Sequence, residues 1–340
     1  MPDYQQQRAL AREQSALERA AIVALKAPSI FNTQPWRWQI HEGVAELRAD
    51  RKRQLQTVDP QGRMMTVSCG AALHHLRAAL TASGVRIEVA RLPKPADPDL
   101  LARIRVTGSV GVTPAAMRHY QALLIRRTDR RPFRHTPVPY ETLEALRAVV
   151  AANGAYLHTV KADQLAELIV AADRAASVQI TNPAYRAELA EWTHRPSGSG
   201  DGVPDATTLA PMPRRVPLRD FTLGGRTAQL ATGTGDDRGA TYAILFTAGD
   251  EPYSWLTAGE ALGAALVSAV GRGAAVSPMS DLVEVVETRH ALHRMLGRIG
   301  HPTFVLRIGL VEPAVTVAVA PRRSPEDVVA LGVVSSASNS

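Results

Sequence analysis

Two short stretches decide the reading of this chain. One is Ala27-Pro28-Ser29-Ile30-Phe31-Asn32-Thr33-Gln34-Pro35-Trp36, which closes the first helix. The other is Arg126-Arg127-Thr128-Asp129-Arg130-Arg131-Pro132-Phe133, which closes another helix about a third of the way along. In the first, Pro28 disfavours helical backbone at Ala27, so the amide and carbonyl groups of 29–32 leave the helix end free. Asn32 both donates and accepts hydrogen bonds, and Trp36 opens a strand with a large flat packing group. Spacing alone fits an ordinary helix-to-strand turn equally well. In the second, Arg126, Thr128 and Arg130 alternate just past a helix end. Two guanidinium forks and a hydroxyl suit the oxygens of a phosphate, although arginines there also satisfy terminal carbonyls.

Working outward, 340 residues with 45% apolar content allow one large domain or two ordinary ones. No apolar run is long enough for a membrane span, and the polar first fourteen residues lack the apolar core of a signal peptide. The single cysteine, Cys69, makes neither an internal disulfide nor a thiolate cluster, so a reducing cytoplasm is expected. The net charge of +7 is spread along the chain as arginine, with lysine only at positions 26, 52, 94 and 161. Without a basic tail, zinc-finger spacing or aromatic-basic motif, nucleic acid and membrane are not expected as partners. His74-His75 and His290 with His293 have no carboxylate or cysteine set around them, so no metal is assigned.

Helices are expected from Ser15 to Lys26, Thr66 to Ser83 with Gly84 as stop, Thr113-Pro114 to the arginines, Thr142 to Ala152, Ala258 to Val270, and Asp281 to Leu296. Strands are expected at Trp36–Leu47, around Ile104, at Tyr242–Phe246 and at Thr303–Leu310. The stretch from Thr193 to Asp237, rich in Gly, Pro, Ser, Thr and Arg, reads as a lid. A shift of 189 residues superposes Gly70, Ala72, Leu73 and Gly84 on Gly259, Ala261, Leu262 and Gly273. Mixed helices and strands without a phosphate-loop signature argue for an α+β fold.

Both deciding stretches resemble the flavin-contacting signatures of the FMN-dependent nitroreductase family, and the whole is most similar to the mycobacterial Acg-type tandem-repeat NAD(P)H nitroreductases. In that family the two signatures usually lie closer together and act in trans across a homodimer. The resemblance therefore implies two tandem repeats of the nitroreductase-like fold, 1–112 and 113–335, forming an intramolecular pseudo-dimer with a lid-like insertion at about 193–237. It implies FMN as cofactor and NAD(P)H as co-substrate. Pro28, Ser29 and Asn32 would line the isoalloxazine. Arg126, Thr128 and Arg130 would hold the phosphate with Arg322 or Arg323 of Pro321-Arg322-Arg323-Ser324-Pro325-Glu326, and Asp129 would point away. Pro278, Met279 and Ser280 would face flavin N5.

The departures from the family pattern matter as well. Ile30 stands where the family often has Ser, the first half lacks the arginine motif, and Asn153-Gly154-Ala155-Tyr156 replaces the proline turn in the second half. One complete site is therefore expected, in a monomer, with a homodimer as the alternative. The implied reaction passes hydride from NAD(P)H to flavin N5 and on to a small oxidant such as a quinone or nitro compound, with no catalytic side chain required. The alternative reading is an FMN-binding or flavin-storage protein whose lid-covered site turns over little.

Overall fold

The computed structural model describes residues 2–196, 198–223, 225, 227–311 and 317–331. The expected repeat end at 335 lies outside the described residues, as do Ser197, Gly224 and Arg226 of the expected lid. Helix α1 (Pro2–Ala24) starts well before the capping pattern at Ser15, which lies inside it. The strand expected over Trp36–Leu47 is instead a hairpin of β1 (Trp36–His41) and β2 (Val44–Ala49). The chain reverses at Glu42-Gly43, where both residues take positive φ, 49° and 73°. That is the geometry of a tight two-residue hairpin loop.

The chain continues through α2 (Arg63–Ala82), β3 (Val85–Arg91), β4 (Leu100–Ser109) and α3 (Pro114–Ile125). Thr113 caps α3 as expected, its Oγ1 accepting from the Ala116 N–H at 3.1 Å. Next come α4 (Tyr140–Ala152), β5 (Tyr156–Thr159), α5 (Leu165–Thr181), α6 (Pro183–Thr193), β6 (Thr241–Thr247), α7 (Pro252–Val270) and β7 (Ala275–Met279). The helix expected over Asp281–Leu296 is broken at Val285, whose ψ of 127° is extended, into α8 (Asp281–Glu284) and α9 (Val286–Met295). Strand β8 (His301–Gly309), a short α10 (Pro325–Val328) and β9 (Val329–Leu331) complete the described chain.

The strands form two sheets, ordered β3-β4-β2-β1-β9 and β7-β8-β6-β5. All pairs are antiparallel except β1 with β9. Matching β1–β4 to β5–β8 in turn makes the two four-strand orders identical, with α2 and α7 in equivalent places. Helices segregated from antiparallel sheets make this an α+β fold. Where the first sheet has the Glu42-Gly43 turn, the second inserts everything from 160 to 240.

Helices α2 and α7 cross at two glycines. A Cβ on Gly70 would lie 2.1 Å from the Leu256 carbonyl oxygen and 2.8 Å from the Gly259 Cα. A Cβ on Gly259 would lie 2.1 Å from the Val67 carbonyl oxygen and 2.8 Å from the Gly70 Cα. Both pairs are offset by the 189 residues of the sequence echo. Reciprocal contact of this kind is the signature of an isologous, two-fold interface. The cores interleave in the same way. Leu256 of α7 packs with Trp36, Trp38 and Leu76 under the first sheet, and Val67 of α2 packs with Ile244, Leu262 and Val305 under the second.

Candidate functional site

The proline turn after α1 is held in costly backbone. Phe31, Asn32 and Gln34 have φ of 46°, 55° and 50°, a conformation that costs non-glycine residues about 1–3 kcal/mol each. One side chain of the turn and one of α2 fix it: Ser29 Oγ accepts from the Gln34 N–H at 2.9 Å, and Ser68 Oγ of α2 accepts from the Ile30 N–H at 3.2 Å. Others tie it to distant chain. Gln34 Nε2 donates to the Gly200 carbonyl at 2.8 Å, and Asn32 Nδ2 donates to the carbonyls of Gly202 and Pro321, each at 3.0 Å. Asn32 Oδ1 accepts from Arg322 Nη1 at 3.0 Å. The Asn32 side chain, expected to line the isoalloxazine, thus braces the turn against Gly202 and the Pro321-Arg322 segment.

Beside this turn lies a cavity lined by Pro28, Ser29, Asn32, Arg126, Arg127, Thr128, Arg130 and Arg322, with Lys26 at its edge. The C-terminal segment reaches it because β9 joins β1 and draws 317–328 across the first half. Four arginines line it, and among the described residues none of Arg126, Arg127 and Arg322 has a carboxylate paired to it. Arg127 Nη1 donates only to the carbonyls of Leu124 and Arg126, and Arg322 only to backbone carbonyls and Asn32. Arg126 Nε and Nη1, Arg127 Nε and Arg322 Nε are buried without a hydrogen-bond partner. Burial, with Arg322 and Arg127 alongside, pulls the Arg126 guanidinium down to about 9. Burial and Arg127 pull Arg322 down to about 10. Cations crowded and desolvated in this way make an anion site. Asp129 takes no part: it accepts from Arg131, Oδ2 to Nη2 at 2.6 Å.

A second compartment shares Pro28, Ser29, Phe31, Thr128 and Arg130 with the first and adds Ile30, Ser68, Leu262, Pro278 and Ser280. Beyond Arg130 and Phe221 lies a third chamber of about 170 Å³, lined by the strap from Leu209 to Phe221 and by Ser277–Asp281. The strap is the irregular chain expected as a lid, and it is fastened at several points. Arg219 ion-pairs with Glu284 at 2.6 Å and lies 4.8 Å over the Phe31 ring. Phe221 meets Phe31 edge-on at 6.0 Å, and Arg130 stacks on Phe221 at 4.7 Å while donating to the Thr207 carbonyl at 3.0 Å. Burial, with Arg219 nearby, pulls Arg130 down to about 10.

Of the residues expected from sequence, Pro28, Ser29, Asn32, Arg126, Thr128, Arg130, Pro278, Met279, Ser280 and Arg322 all line these neighbouring spaces. Arg130 lines all three, sharing the first with Arg126, Arg127 and Arg322. Arg323 does not line them. Its guanidinium donates to the carbonyls of Gln34 and Asp327 and lies 3.7 Å from Asp50, so its bonds are already satisfied on the far side of the segment. Arg127, Lys26, Arg219, Phe221 and Asp281 join the site without having been singled out for it. Arg127 belongs to the quoted motif; the strap residues carry no periodic signal that fixes where they dock.

No protein-family model matches the chain. Among curated proteins of Mycobacterium tuberculosis, it is 36% identical over 293 residues to "Putative NAD(P)H nitroreductase Rv3131", covering 84% of this chain and 83% of that one. It is 33% identical over 297 residues to "Putative NAD(P)H nitroreductase acg", covering 86% and 88%. "Uncharacterized protein Rv3127" is 35% identical over 321 residues, covering 92% and 91%. Among solved structures, the FMN-dependent nitroreductase NfnB from Mycobacterium smegmatis in complex with NADPH matches 63% of this chain and 97% of its own, at 18% identity and a TM-score of 0.38. The chain is a member of the nitroreductase family. Within it, it belongs with the Acg-type proteins of mycobacteria.

Proposed function

We propose that the chain binds one FMN and passes hydride equivalents from NAD(P)H to a small oxidant such as a quinone or nitro compound. The observation that carries this reading is the cluster of Arg126, Arg127 and Arg322, desolvated and lacking any paired carboxylate among the described residues, at one end of a cleft. A phosphomonoester brings a charge of about −2 and three acceptor oxygens, which is what those orphaned donors lack. The ring system then lies between the Pro28–Phe31 turn and Pro278–Ser280, with Thr128 between phosphate and ring. When bound, the flavin supplies the hydride chemistry; the protein binds and orients it. We also propose that 1–112 and 113–335 are tandem repeats, so that the fusion supplies in one chain what two subunits otherwise supply. The test is the absorbance spectrum of protein purified with FMN. Wild type is expected to be yellow, and Arg126→Ala with Arg322→Ala folded but colourless. Full flavin occupancy in that double variant would refute the phosphate assignment.

A second reading, FMN binding with little turnover, is favoured by the strap. Phe221 and Arg219 of the strap pack on Phe31 of the turn, and a covered ring would restrict access of nicotinamide and large oxidants. Steady-state NAD(P)H oxidation with and without a quinone distinguishes the two readings.

A further inference from the structure

Beyond the binding reading, on which this step rests, we propose that Asp281 supplies the proton that a two-electron acceptor takes up in the chamber beneath the strap. Reduction of a quinone balances as NAD(P)H plus quinone plus a proton, giving NAD(P)+ and hydroquinone. The hydride carries both electrons, and the proton has to come from the protein or water. As it is delivered, the Asp281 O–H bond breaks, an O–H bond forms on the acceptor oxygen, and the carboxylate regains its proton from solvent.

The lining of the chamber narrows the choice of donor. Arg130, Arg214 and Arg219 are permanent cations. Asp220 accepts from its neighbour Thr222, N–H at 2.7 Å and Oγ1 at 2.6 Å, as an ordinary turn does. Asp281 is the buried carboxyl of the set, 4% exposed, at the start of α8 directly after Pro278–Ser280. Burial pushes it up to about 6, against the pull of Arg219 and with Glu284 adding to the rise. Tyr185 of α6 lies within electrostatic reach of Asp281, Glu284 and Arg219, and burial holds that phenol well above its ordinary range. A proton donor works best when it titrates near the working pH. An aspartate placed merely to favour a helix N-terminus would be held at or below its ordinary value, not raised.

The experiment compares FMN-loaded wild type with Asp281→Asn, following reoxidation by 1,4-benzoquinone and by ferricyanide, a one-electron acceptor that takes no proton. Expected is a loss of about a hundredfold or more with benzoquinone and little loss with ferricyanide. The wild-type benzoquinone rate should fall as pH rises through about 6, and the variant should lack that fall. Equal losses with both acceptors, or an unchanged benzoquinone profile, would overturn the proposal and leave flavin binding standing. Failure to take up FMN would overturn both. Independently of turnover, difference infrared titration of FMN-free wild type against Asp281→Asn should show a carboxyl with a midpoint near 6; a midpoint in the ordinary aspartate range also overturns it.

Discussion

At Arg126 the chain places a guanidinium that is 5% exposed beside two others and gives Nε and Nη1 nothing to bond. Its folded-state value of about 9 lies well below the ordinary arginine range, so the fold penalises the charged form. That penalty is fully present below about pH 9 and fades as pH rises from there toward the ordinary arginine range. Two opposite effects are expected from Arg126→Met, which keeps the volume and removes the charge. Thermal denaturation of FMN-free protein near pH 7 should show a raised melting temperature, because an uncompensated buried charge is gone. FMN titration should show affinity weakened by roughly ten- to a hundred-and-fifty-fold, the loss of charge-assisted bonds of about 1.5–3 kcal/mol. A variant that lowers stability and leaves affinity intact would show that Arg126 serves the fold and not an anion. The alternation of Arg126 and Thr128 made this position legible in the sequence. The retreat of Arg323 was not legible, because its partners Gln34 and Asp50 lie almost three hundred residues away.

At the scale of elements, the crossing of α2 and α7 depends on two missing side chains. Gly70→Ala puts a methyl group 2.1 Å from the Leu256 carbonyl oxygen, and neither helix backbone can yield alone. Overpacking of that kind costs about 1–3 kcal/mol or more, so thermal denaturation should show a clearly lowered midpoint. Gly84→Ala would be strained for a different reason, its φ of 71°, and is not an equivalent control. The helices were legible because Leu73, Leu76 and Leu80 recur at helical spacing. Strands β3, β5 and β7 went unread because each is short or half-exposed, and β7 carries Pro278 on an edge.

The strap is an element of another kind, held by side chains instead of a ladder. Asp201 accepts from Arg195 at 2.8 and 3.0 Å and pairs with Arg53. Burial pushes its carboxyl up, but the hydrogen bonds from Arg195, Arg53 and Ser199 outweigh it and hold the group below its ordinary value. A depressed carboxyl contributes stability above its unfolded value of about 3.9 and loses it as pH falls through the folded value. Hydrogen exchange of the amides around Gly200–Val203 should therefore accelerate on acidification below about pH 4, relative to the core of α7. Asp201→Asn should show faster exchange already at neutral pH. Unchanged protection in the variant would mean that the Asn32 and Gln34 contacts alone hold the strap.

For the molecule as a whole, the question is why a chain with two matched sheets should make one site. Matching α2 to α7 and β3 to β7 puts the counterpart of the Arg126 cleft beside Asn153, in the turn between α4 and β5. A cavity does lie there, lined by His74, Arg77, Arg86, Arg91, His119 and Asn153. Two of its three arginines differ from those at Arg126 in one respect. Arg77 and Arg91 both ion-pair with Glu260, which is 1% exposed, Arg91 Nε at 2.6 Å. Glu260 offsets part of their positive charge and occupies both guanidiniums, which weakens this cavity as a phosphate site. In the sequence this asymmetry showed as one proline turn and one arginine motif; Glu260, inside a run of small residues on α7, gave no sign of its role. Titration with FMN should saturate at one per chain. Glu260→Gln, which frees Arg77 and Arg91 from their counter-charge, should add weak phosphate binding at the second cleft, visible as a rise in melting temperature with inorganic phosphate in the Arg126→Met background. Saturation of the wild type at two per chain would show that the two halves remain functionally equivalent and that Glu260 does not decide between them.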